Sequence, residues 1–140
     1  MKGKISVILI FAALIGLLCG CSQSSVTPQT RPPFRVVERI GVTFQKGPLD
    51  FQRNYSSPEK MQKILDYLLI IDPYGTPVED PEQIGNTEFC ICLYYTDGSE
   101  KTYRQRGQRY MKVQNGQWKY IDPEKAEKLS IILSQTPSDD

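Results

Sequence analysis

Hydrophobic and polar positions alternate from Val36 to Phe44: Val36, Ile40, Val42 and Phe44 share one parity, with Arg39 and Thr43 on the other. That two-residue period predicts a half-buried strand. Leu49, Phe51 and Tyr55 continue the pattern as a second short strand after the Gly47-Pro48 turn. At Ser57-Pro58-Glu59 the period changes. Ser57 suits a helix N-cap, Pro58 the first turn and Glu59 the positive end of the dipole. Met61, Ile64, Leu65 and Leu68 then recur at helical spacing, which predicts a helix to about Ile71. Residues 72–87 carry three prolines and two glycines and read as a long loop. Phe89–Thr96 with Glu100–Arg106 reads as one hairpin, and Arg109–Val113 with Gln117–Tyr120 as a second. Asp122-Pro123-Glu124 opens a final helix with Ala126, Leu129, Ile132 and Leu133 on its apolar side. The order β(β)-α-β-β-β-β-α predicts an α+β domain, a mainly antiparallel sheet of four to six short strands with two helices packed on one face.

Turn chemistry assigns the faces, because a one-residue slip reverses them. A three-residue Thr96-Asp97-Gly98 loop with Gly98 left-handed sets Ile91 opposite Tyr103, Cys90 opposite Arg104 and Cys92 opposite Thr102. This register sorts apolar with apolar, unlike the one a two-residue Asp97-Gly98 turn gives. In the next hairpin a two-residue Asn115-Gly116 turn gives Val113–Trp118 and Met111–Tyr120, with Lys112 opposite Lys119. Phe89, Ile91, Leu93, Tyr103, Met111, Val113, Trp118 and Tyr120 are then expected to face the helices. Cys90, Cys92, Tyr94, Arg104, Arg106, Tyr110, Lys112 and Lys119 are expected on the other face, which is polar, basic and rich in tyrosine.

The first twenty residues follow a different pattern. Lys2 and Lys4 precede an uncharged apolar run, Ile5 to Leu18, which is 14 residues long and short of the roughly 20 a membrane span needs. Leu18-Cys19-Gly20-Cys21 follows, and then the polar stretch SQSSVTPQTRPP. Leu18, Gly20 and Cys21 resemble the lipobox of a bacterial lipoprotein signal, in which Leu, a small residue and Gly or Ala precede Cys. Cys19 stands where Ala or Ser is usual. The resemblance implies a signal peptide over 1–20, cleavage behind Gly20 and acylation (as with palmitate) at Cys21. An uncleaved N-terminal anchor is the alternative. Both readings hold the domain on a membrane, lipid-anchored in the first case, at the extracytoplasmic face. Residues 21–33 then read as the acylated cysteine and a flexible tether, 34–136 as a single domain and 137–140 as a disordered tail.

Composition narrows the function. The 140 residues include 17 Lys+Arg and 16 Asp+Glu, for a formal charge of +1. Without Lys2 and Lys4, fifteen basic residues face sixteen acidic ones. Such balance argues against a generally basic nucleic-acid binder. The chain has no histidine, so the commonest general base and metal ligand are missing. There is no Gly-rich phosphate cradle, serine nucleophile elbow or HExxH, and Asp72, Glu79, Asp80 and Glu82 lack EF-hand spacing. No catalytic residues, metal or cofactor are therefore expected.

Two features remain. Cys90 and Cys92 point to the same side of one strand, which suits a disulfide poorly. They read as small unpaired side chains, or, with Arg104 favouring a thiolate, as a reactive pair. Residues 101–120 carry Lys101, Arg104, Arg106, Arg109, Lys112 and Lys119 without an acid, interleaved with Tyr103, Tyr110, Trp118 and Tyr120. They read as a solvated basic face, or as a patch for an anionic envelope polymer or protein. An exported location sets nucleic acid aside. The pattern YYTDGSEKTYRQ…RY…W…IDPEKAEKL is similar to that of small uncharacterised lipoproteins of Gram-positive bacteria, a resemblance that implies a class of protein and no mechanism. Together these features suggest a non-enzymatic binding or scaffold domain at the bacterial cell envelope. A small envelope enzyme or inhibitor using Cys90 and Cys92 is the rival.

Overall fold

The alternating segment forms β1, Val37–Lys46, which turns at Gly47 (φ +57°) into β2, Leu49–Tyr55. These elements come from a computed structural model, which describes residues 35–79, 81 and 87–140. The signal segment, Gly20, Cys21, the tether and the loop acids Asp80 and Glu82 lie outside the described residues. After β2 come α1 (Pro58–Ile70), β3 (Tyr74–Val78), β4 (Thr87–Tyr95), β5 (Glu100–Arg106), β6 (Tyr110–Val113), β7 (Trp118–Tyr120) and α2 (Pro123–Gln135). All paired strands are antiparallel, in the order β2-β1-β4-β5-β6-β7-β3. The fold is α+β, with seven strands rather than four to six. The extra strand is β3. It arises inside the expected Pro-rich loop and lies at the sheet edge, where the amide that Pro77 lacks is not needed for pairing.

Ile40, Val42 and Phe44 pair with Leu93, Ile91 and Phe89, and Ile91 pairs with Tyr103. Directly opposed residues share a face, so these side chains form one apolar layer. Met61, Ile64 and Tyr67 of α1 and Ala126, Leu129 and Leu133 of α2 join the same buried cluster. Val36 does not: it is exposed, because the register shifts between Val37 and Arg39 and brings Val37 against the core instead.

Helix termini are held from a distance as well as locally. Asp122 caps α2 as expected, accepting from the amides of Glu124 and Lys125 at 2.9 and 3.4 Å. Ser57 is the N-cap of α1, yet its side chain makes no capping bond. Asp139 substitutes, its Oδ2 accepting from the amides of Ser56 and Ser57 at 2.8 Å each, while Lys60 donates to its other oxygen. These bonds hold the Asp139 carboxyl well below the usual carboxylate range. The Asp139 amide also donates to the Asn54 carbonyl at 2.9 Å. The tail expected to be disordered at 137–140 is thus tied to the exposed edge of β2. At the other end of α2, Arg53 donates to the Leu133 carbonyl and Tyr55 to that of Thr136 at 3.1 Å, placing a cation where the helix dipole is negative.

A candidate binding face on the open side of the sheet

The two helices cover one face of the sheet, and among the described residues no helix covers the other. Its side chains lie in rows that follow the strand register. The first row crosses all seven strands: Asp50, Gln45, Glu88, Arg106, Tyr110, Tyr120 and Tyr74. The second contains Gln52, Thr43, Cys90, Arg104 and Lys112. The third contains Asn54, Gly41, Cys92 and Thr102. Arg39, Tyr94 and Glu100 form the fourth.

Tyr94, Arg104, Arg106, Tyr110, Lys112, Cys90 and Cys92 therefore share this face as expected. The first hairpin has the expected register, closed by Tyr95 and Ser99 around a Gly98 with φ +80°. Lys119 is a correction. The second hairpin pairs Met111 with Lys119 and Tyr110 with Tyr120, one residue away from the expected register. Gln114 (φ 53°), not the Asn115-Gly116 pair alone, makes the reversal, and the Gly116 amide bonds to the Val113 carbonyl at 2.9 Å. Lys119 consequently lies on the helix side. Trp118 and Tyr120, expected among the core residues, lie on the open side. Trp118 is buried there by guanidinium stacking: Arg106 sits 4.5 Å and Arg104 5.9 Å from its ring centroid.

The same register divides the basic run. Lys101 stacks at 5.1 Å on Tyr103 on the helix side, and Arg109 is exposed in the turn after β5. Arg104, Arg106 and Lys112 stay on the open face. Glu88 neutralises part of this charge: Arg104 Nε donates to its Oε1 at 2.8 Å and Arg106 Nε to its Oε2 at 3.3 Å. Lys112 makes no ion pair among the described residues.

Three contributors were not singled out from the sequence. Arg39 stacks 3.9 Å from the Tyr94 ring centroid and donates to Asn54 at 3.0 Å. Gly41 lies beneath Tyr94, where a Cβ would stand 3.4 Å from Tyr94 Cε2. Glu88 is the acid that organises both arginines. Arg39 and Gly41 depend on the β1–β4 pairing, which joins segments some fifty residues apart and leaves no local signal, whereas Glu88 meets its arginines within the β4–β5 hairpin.

Cys90 lies in a shallow cleft of about 330 Å³ with Thr43, Gln45, Glu88 and Arg104. Both cysteines are free, and Cys92 accepts from Thr102 at 3.8 Å. Burial pushes the Cys90 thiol above its ordinary value, and this outweighs the opposing pull of Arg104. The thiol therefore stays protonated at neutral pH, where the nucleophile is the thiolate. Cys90 is expected to alkylate with iodoacetamide several-fold more slowly than free cysteine at pH 7, mapped residue by residue by mass spectrometry. Reaction faster than free cysteine would support the thiol-enzyme rival. Among the described residues no three His, Cys, Asp or Glu side chains cluster as metal ligands.

The molecule thus presents an α+β scaffold with one covered face and one open face that carries tyrosines and mixed charge, four cations against three carboxylates. No family model, curated protein or solved structure matches the chain.

Proposed function

We propose that the chain is a non-enzymatic binding or scaffold domain, lipid-anchored through Cys21 on the extracytoplasmic face of a bacterial membrane, and that the open sheet face receives an anionic partner of the envelope. The lipobox residues Leu18, Gly20 and Cys21 support the anchoring. The observation that carries the binding reading is the open face itself, where Arg104, Lys112 and Arg39 stand among Tyr94, Tyr110 and Tyr120 with no covering element among the described residues. A sheet face needs polar side chains to stay solvated, but it does not need rows of exposed aromatic rings, and such patches mark interaction sites.

Full-length protein carrying Arg104→Gln with Lys112→Glu is expected to recover at least tenfold less envelope partner in pull-downs. Lys119→Glu, on the helix side, is expected to recover as much as wild type. Equal recovery by all three would rule the face out. In the same cells Cys21→Ser should leave the membrane fraction, and its retention there would count against the anchor. A small enzyme or inhibitor using Cys90 and Cys92 is the second reading, favoured by Arg104 standing opposite Cys90 and decided by the alkylation rates above.

A further inference from the structure

Tyr74, Tyr120 and Tyr110 stand abreast on β3, β7 and β6, the first two directly paired and the last two directly paired. Their ring centroids are 6.4 and 5.3 Å apart, and neighbouring planes are tilted by 34° and 43°. Tyr74 is 55% exposed and Tyr120 41%. Beside Tyr120 the chain carries Gly75 at φ +81°, a conformation that disfavours any side chain, and a Cβ there would lie 3.5 Å from the ring. The result is a shallow aromatic shelf. None of these rings belongs to the core cluster.

We infer that this row is a docking shelf for an anionic polysaccharide chain whose sugar rings lie on the tyrosines. The inference deepens the binding-face reading and rests on it. Three properties select this occupant. A pyranose ring has an apolar C–H face and a rim of hydroxyls. A tyrosine offers the complement, an apolar ring with a hydroxyl at its edge. The row repeats at about the length of one sugar unit, so successive rings meet successive sugars. Charge follows the same line: Lys112 stands two residues from Tyr110 on the same face of β6, without a carboxylate partner among the described residues. Arg106 stands next in the row beside Tyr110, its charge shared with Glu88.

The test uses full-length protein in detergent micelles, run by affinity electrophoresis through gels containing polygalacturonate, neutral dextran or poly-L-glutamate. Polygalacturonate should retard it most, dextran weakly and polyglutamate least. Tyr120→Ala and Tyr74→Ala, both at exposed positions, should each lower the apparent affinity for polygalacturonate about tenfold with unchanged circular dichroism. Lys112→Ala should lower the affinity for polygalacturonate and leave the affinity for dextran unaltered. Retardation by polyglutamate equal to that by polygalacturonate, or tyrosine variants that migrate as wild type, would overturn the proposal, as would no retardation in any gel. If the tyrosine variants fail in this way while Arg104→Gln with Lys112→Glu still abolishes partner recovery, the shelf is wrong and the binding face stands. If that double variant recovers partner normally, the face itself is wrong.

Discussion

Leu129→Ala is expected to lower the unfolding free energy by about 3 kcal/mol, read as a fall in the urea midpoint. Leu129 is fully buried, one turn after Ala126 and one before Leu133 on the inward face of α2. It shares a cluster with Ile64 and Tyr67 of α1 and with Ile91 and Met111 of the sheet. Removing three carbons there forfeits their transfer from water and leaves a space that two helices and a sheet cannot all close. A domain of this size is stable by only about 5–15 kcal/mol, so the loss is a large share of the total. Ile131→Ala is the control: Ile131 is 49% exposed on the outer side of the same helix, and its replacement should cost within about 0.5 kcal/mol. Equal costs at both positions would mean that α2 does not lie on the sheet in this orientation.

Both helices were legible because their signals are local. Ser57-Pro58-Glu59 and Asp122-Pro123-Glu124 mark starts, and the apolar residues that follow recur at helical spacing. The first hairpin was legible because, of the two loops its turn residues allow, the three-residue one with Gly98 left-handed sorts apolar with apolar, and the chain adopts it. The second hairpin shows the limit of turn chemistry. Asn115-Gly116 is a strong turn signal, yet the chain reverses with Gln114 left-handed, and Trp118 then stacks against two guanidinium groups on the open side. That one-residue difference moved Lys119 off the candidate face and brought Trp118 and Tyr120 onto it. Tyr74 was hidden because β3 is a partner-dependent edge strand within a Pro-rich segment. The tail was hidden because what orders Asp139 is Ser56, Ser57 and Lys60, some eighty residues earlier. Local chemistry therefore located the candidate face, and long-range pairing decided its membership.

A buried polar pair provides the other large effect. Gln105 is the polar side chain that parity alone would leave among apolar neighbours, paired with Met111 and 1% exposed. Its amide nitrogen donates to the Gly107 carbonyl at 3.0 Å and to the Ala126 carbonyl at 3.4 Å. Its oxygen accepts from the Tyr67 hydroxyl of α1. One side chain thus ties both helices to β5. Gln105→Leu is expected to cost about 2 kcal/mol, because it strands the buried Tyr67 hydroxyl. Adding Tyr67→Phe removes that orphaned group and should restore about 1 kcal/mol, so that the double variant is more stable than Gln105→Leu alone. A double variant that is weaker still would show that the hydroxyl has another partner. Burial also raises the Tyr67 phenol above its ordinary value of 10.0. The unfolded chain therefore gives up this proton at lower pH than the folded one. The contribution of Tyr67 is complete below about pH 10 and is lost as the pH climbs toward the raised folded value. Urea midpoints measured from pH 8 to 11 should fall for wild type and fall less steeply for Tyr67→Phe. Parallel curves would place the source of alkaline instability elsewhere.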